Sequence, residues 1–130
     1  MLENSRAYSG FAVKDVDEAR EFYGETLGLK VSILDSDNGL MELDLAGDRP
    51  TLVYASPDST PASYTILNFP VHDIDEAVDE LASRGVNFER YEGFEQDEKG
   101  VARGISSGRG PDIAWFKDPS GNVLSVLQES

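Results

Sequence analysis

Residues 8–14 alternate in character, with Phe11 and Val13 on one side and Gly10 and Ala12 on the other, the period of a β-strand. Asp15 followed by Glu18 is then a capping-box pattern for a helix start. Val16, Ala19, Phe22, Tyr23 and Leu27 recur at helical spacing, and Gly28 suits the position just past the helix end. Strand-like runs follow at Leu29–Asp35, Leu40–Leu45 and Thr51–Ala55. Turn-forming stretches, Ser36-Asp37-Asn38-Gly39 and Ala46-Gly47-Asp48, separate them.

The same order returns in the second half. Phe11–Ala19 matches Phe69–Ala77 at six of nine positions, with Val16 and Ile74 a conservative pair. Asp73 and Glu76 form the second cap, Ile74, Ala77, Val78 and Leu81 the second apolar stripe, and Gly85 its stop. The pattern predicts further strands at Val86–Tyr91, Asp112–Lys117 and Asn122–Gln128, with a hairpin turn at Asp118-Pro119-Ser120-Gly121-Asn122. The chain therefore reads as two βαβββ modules, residues 1–60 and 61–130, in an α+β fold. Residues 92–111 break the second copy with a segment that is charged first and Gly-rich after. A segment of that length is either a lid or binding loop, or a floppy insertion.

Composition narrows the chemistry. With no Cys among 130 residues, disulfides, thiolate metal sites and cysteine nucleophiles are excluded. The one His, His72, neighbours the capping Asp73 and leaves no room for a His-rich site. Twenty-five Asp and Glu against eleven Lys and Arg give a net charge of −14, and a division near Pro61 leaves −7 on each side. Such a surface repels nucleic acid and anionic membranes and steers cations inward; it also serves solubility. No apolar run reaches the ~18 residues of a membrane span, and no signal-peptide pattern opens the chain, so the expected compartment is the cytoplasm. Glu42 and Asp44 alternate with Met41, Leu43 and Leu45, the wet face of a strand. Gly104, Gly108 and Gly110 lack phosphate-loop spacing, and no Gly-x-Ser-x-Gly is present. Arg103 and Arg109 in the Gly-rich segment either reach an anionic ligand or are solvated loop arginines, the commoner outcome.

The run Val13-Lys14-Asp15-Val16-Asp17-Glu18-Ala19-Arg20-Glu21-Phe22-Tyr23 with Leu27-Gly28-Leu29 resembles the opening of the vicinal oxygen chelate superfamily. This group includes glyoxalase I, extradiol dioxygenases, fosfomycin-resistance transferases and bleomycin-resistance proteins. The closing Trp115-Phe116-Lys117-Asp118-Pro119-Ser120-Gly121-Asn122-Val123-Leu124-Ser125 resembles its final hairpin. The resemblance implies two βαβββ modules whose mixed sheet curls into a cup with helices outside, and a homodimer. It also implies a divalent metal held by His or Gln on the first strand, Glu on the fourth, His on the fifth and Glu on the eighth. Those positions fall here on Tyr8, Val53, Ile66 and Ser125. Tyr, Val, Ile and Ser do not make a hard-cation or zinc site.

Strand alternation from those positions predicts a lining that includes Tyr8, Gly10, Val53, Ile66, Asn68, Trp115 and Ser125, with Phe116 turned toward a helix. Ala12, Thr51, Ala55, Pro70, Val123 and Leu127 extend it. The lining is mainly apolar, with aromatic surfaces for stacking and a few polar handles, the make-up of a small-molecule site. The expected function is metal-independent binding, sequestering or carrying an organic molecule, cationic or aromatic, as in antibiotic resistance of the bleomycin-resistance type. No cofactor and no catalytic residue is assigned. The alternative is a glyoxalase- or dioxygenase-like enzyme whose metal is held by non-standard ligands.

Overall fold

The computed structural model describes residues 1–130. The chain divides into two compact units, Met1–Pro61 and Ala62–Ser130. In the first, β1 (Ser9–Val13) leads into α1 (Val16–Arg20), whose N-cap Asp15 accepts a hydrogen bond from the Glu18 amide. The helix then widens into a π-helical turn over Glu21–Thr26, so the single α-helix expected up to Gly28 is only five residues of α geometry. The Leu27 amide reaches back five residues to the Phe22 carbonyl, the bonding of a π-bulge.

Strands β2 (Lys30–Asp35), β3 (Leu40–Leu45) and β4 (Arg49–Ala55) form a meander, and the sheet order is β1-β4-β3-β2. The helix dictates this order. Strands β1 and β2 run in the same direction and cannot be joined by a tight turn, so the chain crosses one face of the sheet as helix and lands at the far edge. Two antiparallel hairpins then bring β4 back beside β1, in parallel pairing. The covered face carries Phe11, Val13, Met41, Leu43, Thr51 and Val53, all buried. Phe11 packs on the buried Tyr23 of the π-turn, ring centroids 5.7 Å apart.

The second unit repeats the logic. Strand β5 (Thr65–Pro70) leads to α2 (Ile74–Ser83), capped by Asp73 and closed at Gly85, whose φ is +91°. The Val86 amide bonds the Leu81 carbonyl and the Gly85 amide that of Ala82, a Schellman closure. The sheet order is β5-β8-β7-β6, with β7 at Asp112–Lys117 and β8 at Val123–Gln128. Buried Asp118 shapes the hairpin between them: its carboxylate accepts the Ser120 and Asn122 amides, both at 2.9 Å.

The strand expected at Val86–Tyr91 does not form as such. The backbone of that segment pairs with the β7 edge through a Phe88–Phe116 bridge and a bond from the Glu89 amide to the Trp115 carbonyl, and is not a continuous strand. The chain then leaves the edge and returns to it as β6 (Ala102–Arg103), followed by a single helical turn, α3 (Gly104–Ser107). The excursion between splits one edge strand into two short pieces. Within it, the Gln96 and Asp97 side chains bond backbone groups of Glu89, Tyr91 and Val101 in place of a sheet partner. No helix is long and apolar enough to cross a membrane.

Candidate functional site

In the second unit three of the expected residues stand in one row. Trp115 is paired with Ser125 across β7 and β8, and Ser125 with Asn68 across β8 and β5. Directly paired residues share a face of the sheet. Ser125 is fully buried and its hydroxyl donates to Asn68 Oδ1 at 2.6 Å. Ile66 is the extra residue at a bulge, since Thr65 pairs with Val123 and Leu67 with Leu124. Phe116 lies on the opposite face, where its ring packs against Phe88 with ring centroids 5.8 Å apart.

In the first unit the expected set divides. Gly10 pairs with Leu52 and Ala12 with Tyr54, whereas Val53 pairs with Phe11 on the covered face and is fully buried. Val53 therefore belongs to the core, and the β4 residues that share Gly10's face are Leu52 and Tyr54. Val53 is expected in the lining because the family's fourth-strand ligand position falls on it; the face of Gly10 lies one residue to either side, and a slip of one exchanges the faces. Tyr8 precedes β1 and is 65% exposed. Ser32 donates to Asp44 on the face of Gly10, which holds Asp44 below the usual carboxylate range, while a hydrogen bond with Asp44 raises Glu42.

Tyr8, Val53, Ile66 and Ser125 do not fit a divalent metal. One is an exposed phenol, two are hydrocarbon, and the serine hydroxyl is bonded to Asn68. No group of three or more His, Asp or Glu lies together as a metal site.

The row of Asn68, Ser125 and Trp115 ends at a groove of about 850 Å³. Ile113 and Trp115 of β7 are its floor, and residues 93–97, 101–104, 106, 107, 109 and 111 line its sides. Phe94, 55% exposed, lies over Trp115 with ring centroids 5.0 Å apart, and Tyr91 meets the indole edge-on at 5.5 Å. The volume and the aromatic floor suit an organic molecule.

The walls are braced by two side chains. Gln96 accepts the Tyr91 amide at 2.9 Å and donates to the carbonyls of Glu89 (2.9 Å) and Gly100 (2.7 Å), tying both ends of the excursion together. Asp97 Oδ1 accepts the amides of Lys99 and Val101, both at 2.9 Å, and its Oδ2 accepts from Arg103. Burial alone would raise the Asp97 carboxyl; the Val101 amide, Arg103 and the Lys99 amide outweigh it and hold it low. Arg103 also makes a two-pronged contact with Asp75 of α2 at 2.7 and 3.1 Å and lies 3.6 Å from Asp112. Lys99 bridges Asp75 and Asp79. Arg103 is thus committed to the scaffold, whereas Arg109 is exposed at the groove and forms no ion pair.

Trp115 is among the residues the sequence places at a site, and 92–111 is open there between a binding loop and a floppy insertion; Phe94, Tyr91 and Ile113 are not anticipated. A lone Phe in an otherwise charged stretch, with a Trp in the strand beyond it, was the available signal.

Residues 7–126 match the family model described as Glyoxalase/Bleomycin resistance protein/Dioxygenase superfamily. The chain belongs to this superfamily. It is 29% identical over 129 residues to YraH of Bacillus subtilis (strain 168), covering 89% of this chain and 91% of that protein. Solved superfamily-like structures share the fold. TnmS3, an antibiotic binding protein from Streptomyces sp. CB03234, is 23% identical, covers 98% of each chain and superposes with a TM-score of 0.67. The fosfomycin resistance protein FosX from Listeria monocytogenes is 13% identical, covering 98% of this chain and 92% of its own, with a TM-score of 0.70.

Proposed function

We propose that this superfamily member binds a small organic molecule with a flat aromatic part, without a metal, and sequesters or carries it. The observation that carries the reading is the groove whose floor is Trp115 and Ile113 and whose wall presents Phe94. Stacking on an indole rewards planar rings, and the excursion 92–103 shields one side of them from water. The likeness to an antibiotic binding protein supports this reading and makes antibiotics natural ligands to try. The donor chemistry of Tyr8, Val53, Ile66 and Ser125 supports metal independence. The proposal includes a homodimer, checked by light scattering of the eluted protein.

Trp115 is the chain's only tryptophan, so its emission reports on the groove directly. A panel of flat aromatic compounds, antibiotics among them, is titrated against it before and after dialysis with a chelator. Saturable quenching that survives chelation is expected. Trp115→Ala removes a half-buried aromatic anchor worth about 2 kcal/mol, so calorimetric affinity falls roughly thirtyfold while the far-ultraviolet circular dichroism is retained. Unchanged affinity in this variant refutes the groove as the site; quenching lost with the metal refutes metal independence.

A further inference from the structure

The polar groups of the groove specify more than flatness. We infer that the ligand is an aromatic acid whose anionic group is recognised by Arg109; this rests on the reading that the groove over Trp115 is the binding site.

Most polar side chains along the groove are already committed within the protein. Gln96 uses its carbonyl and its amide on backbone partners, and Asp97 is occupied by two amides and Arg103. Arg103 is held by Asp75 and Asp97 with Asp112 close by, and the Ser107 hydroxyl donates to the carbonyls of Arg103 or Gly104. Among the residues that line the groove, four carry a polar group without a partner side chain or backbone group: the Arg109 guanidinium, the Ser106 hydroxyl, the Trp115 indole N–H and the Glu95 carboxylate. Three of these donate and one only accepts. A ligand that satisfies them must present acceptors.

Arg109 is also well placed to discriminate. Its own amide bonds the Gly104 carbonyl at 2.9 Å across a turn that Gly108 completes at φ +68°, so its backbone is fixed while the side chain stays available. A guanidinium is permanently charged and pairs with a carboxylate or sulfonate through two parallel N–H bonds. The chain's net charge of −14 points at first to a cation. Remote carboxylates are screened beyond about 8 Å at physiological salt, however, and the aspartates nearest the groove are matched by Arg103 and Lys99. What the ligand meets is Arg109 on one part of the wall and Glu95 on another, with the donors in the majority.

The test uses three flat probes on the full chain, followed by Trp115 quenching and by the probes' own emission: 8-anilinonaphthalene-1-sulfonate, its neutral relative N-phenyl-1-naphthylamine, and the cation proflavine. The sulfonate is expected to bind at least tenfold tighter than the neutral probe. Arg109→Ala removes the preference, the sulfonate losing at least tenfold more affinity than the neutral probe; Arg109→Lys retains part of the preference. Added salt weakens the sulfonate alone. Equal or tighter binding of the neutral probe or of proflavine overturns the inference while leaving the groove as the site, provided Trp115→Ala still abolishes binding. Equal losses for both probes in Arg109→Ala overturn it too. Absence of quenching by every probe, or probe binding indifferent to Trp115→Ala, refutes the groove reading itself and the inference with it.

Discussion

Asp97 offers a test of whether the groove wall is built by its backbone or by its charges. Its Oδ1 holds two amides, Lys99 and Val101, and its Oδ2 holds Arg103 at 2.9 and 3.1 Å. Val101 behind this brace is fully buried. Asp97→Ala removes all of these bonds. Two backbone hydrogen bonds to a charged acceptor contribute about 1 kcal/mol each, and the partly exposed pair with Arg103 about 0.5–1 kcal/mol. The loss is therefore about 2.5–3 kcal/mol. Asp97→Asn keeps an oxygen for the two amides but turns an NH2 donor toward Arg103 in place of Oδ2, giving up the charge and the pair with Arg103, so its cost is about 1 kcal/mol. Urea unfolding followed by Trp115 emission measures both, because the indole is packed against the same excursion through Phe94 and Tyr91. Amide exchange at Lys99 and Val101 locates the effect: protection falls in Asp97→Ala and persists in Asp97→Asn. If the two variants are equally costly, the ion pair and not the backbone brace holds the wall. If Asp97→Ala costs less than about 0.5 kcal/mol, the excursion stands without Asp97 and the reasoning is wrong.

The Asp75 carboxyl gives an acid-side prediction. Hydrogen bonding from Arg103, then from Lys99, lowers it from 3.8 to about 2. A depressed carboxyl contributes stability that is full above its unfolded value and is lost as pH falls toward the folded one, so the loss comes between about pH 4 and pH 2. Because Asp75 is half exposed, screening limits this contribution to under about 1 kcal/mol; Asp75→Asn should flatten that part of the acid unfolding curve. Two glycines separate strain from collision. A Cβ at Gly85 meets nothing within 4 Å, so Gly85→Ala costs only its left-handed backbone, about 1 kcal/mol. A Cβ at Gly39, also at positive φ, would lie 2.6 Å from that of Ala55, so Gly39→Ala costs clearly more, about 2–4 kcal/mol by thermal unfolding.

Local signals carried much of the architecture. Asp15 and Asp73 cap the helices that their spacing to Glu18 and Glu76 implied, because a cap needs only a side-chain oxygen and an amide three residues on. Alternation placed Trp115 and Ser125 on one face and Phe116 on the other, because pleating fixes sides within a strand. Three things lay beyond local signals. Register between β1 and β4 decided that Val53 is core while Gly10 faces the other way, and register is set by contacts forty residues apart. The edge of β7 is shared between Phe88 and Ala102–Arg103 because Gln96 and Asp97 satisfy the intervening backbone. The groove exists only because that excursion brings Phe94 onto Trp115, a meeting of residues that neither periodicity nor capping relates, and the same folding engages Arg103 while leaving Arg109 available.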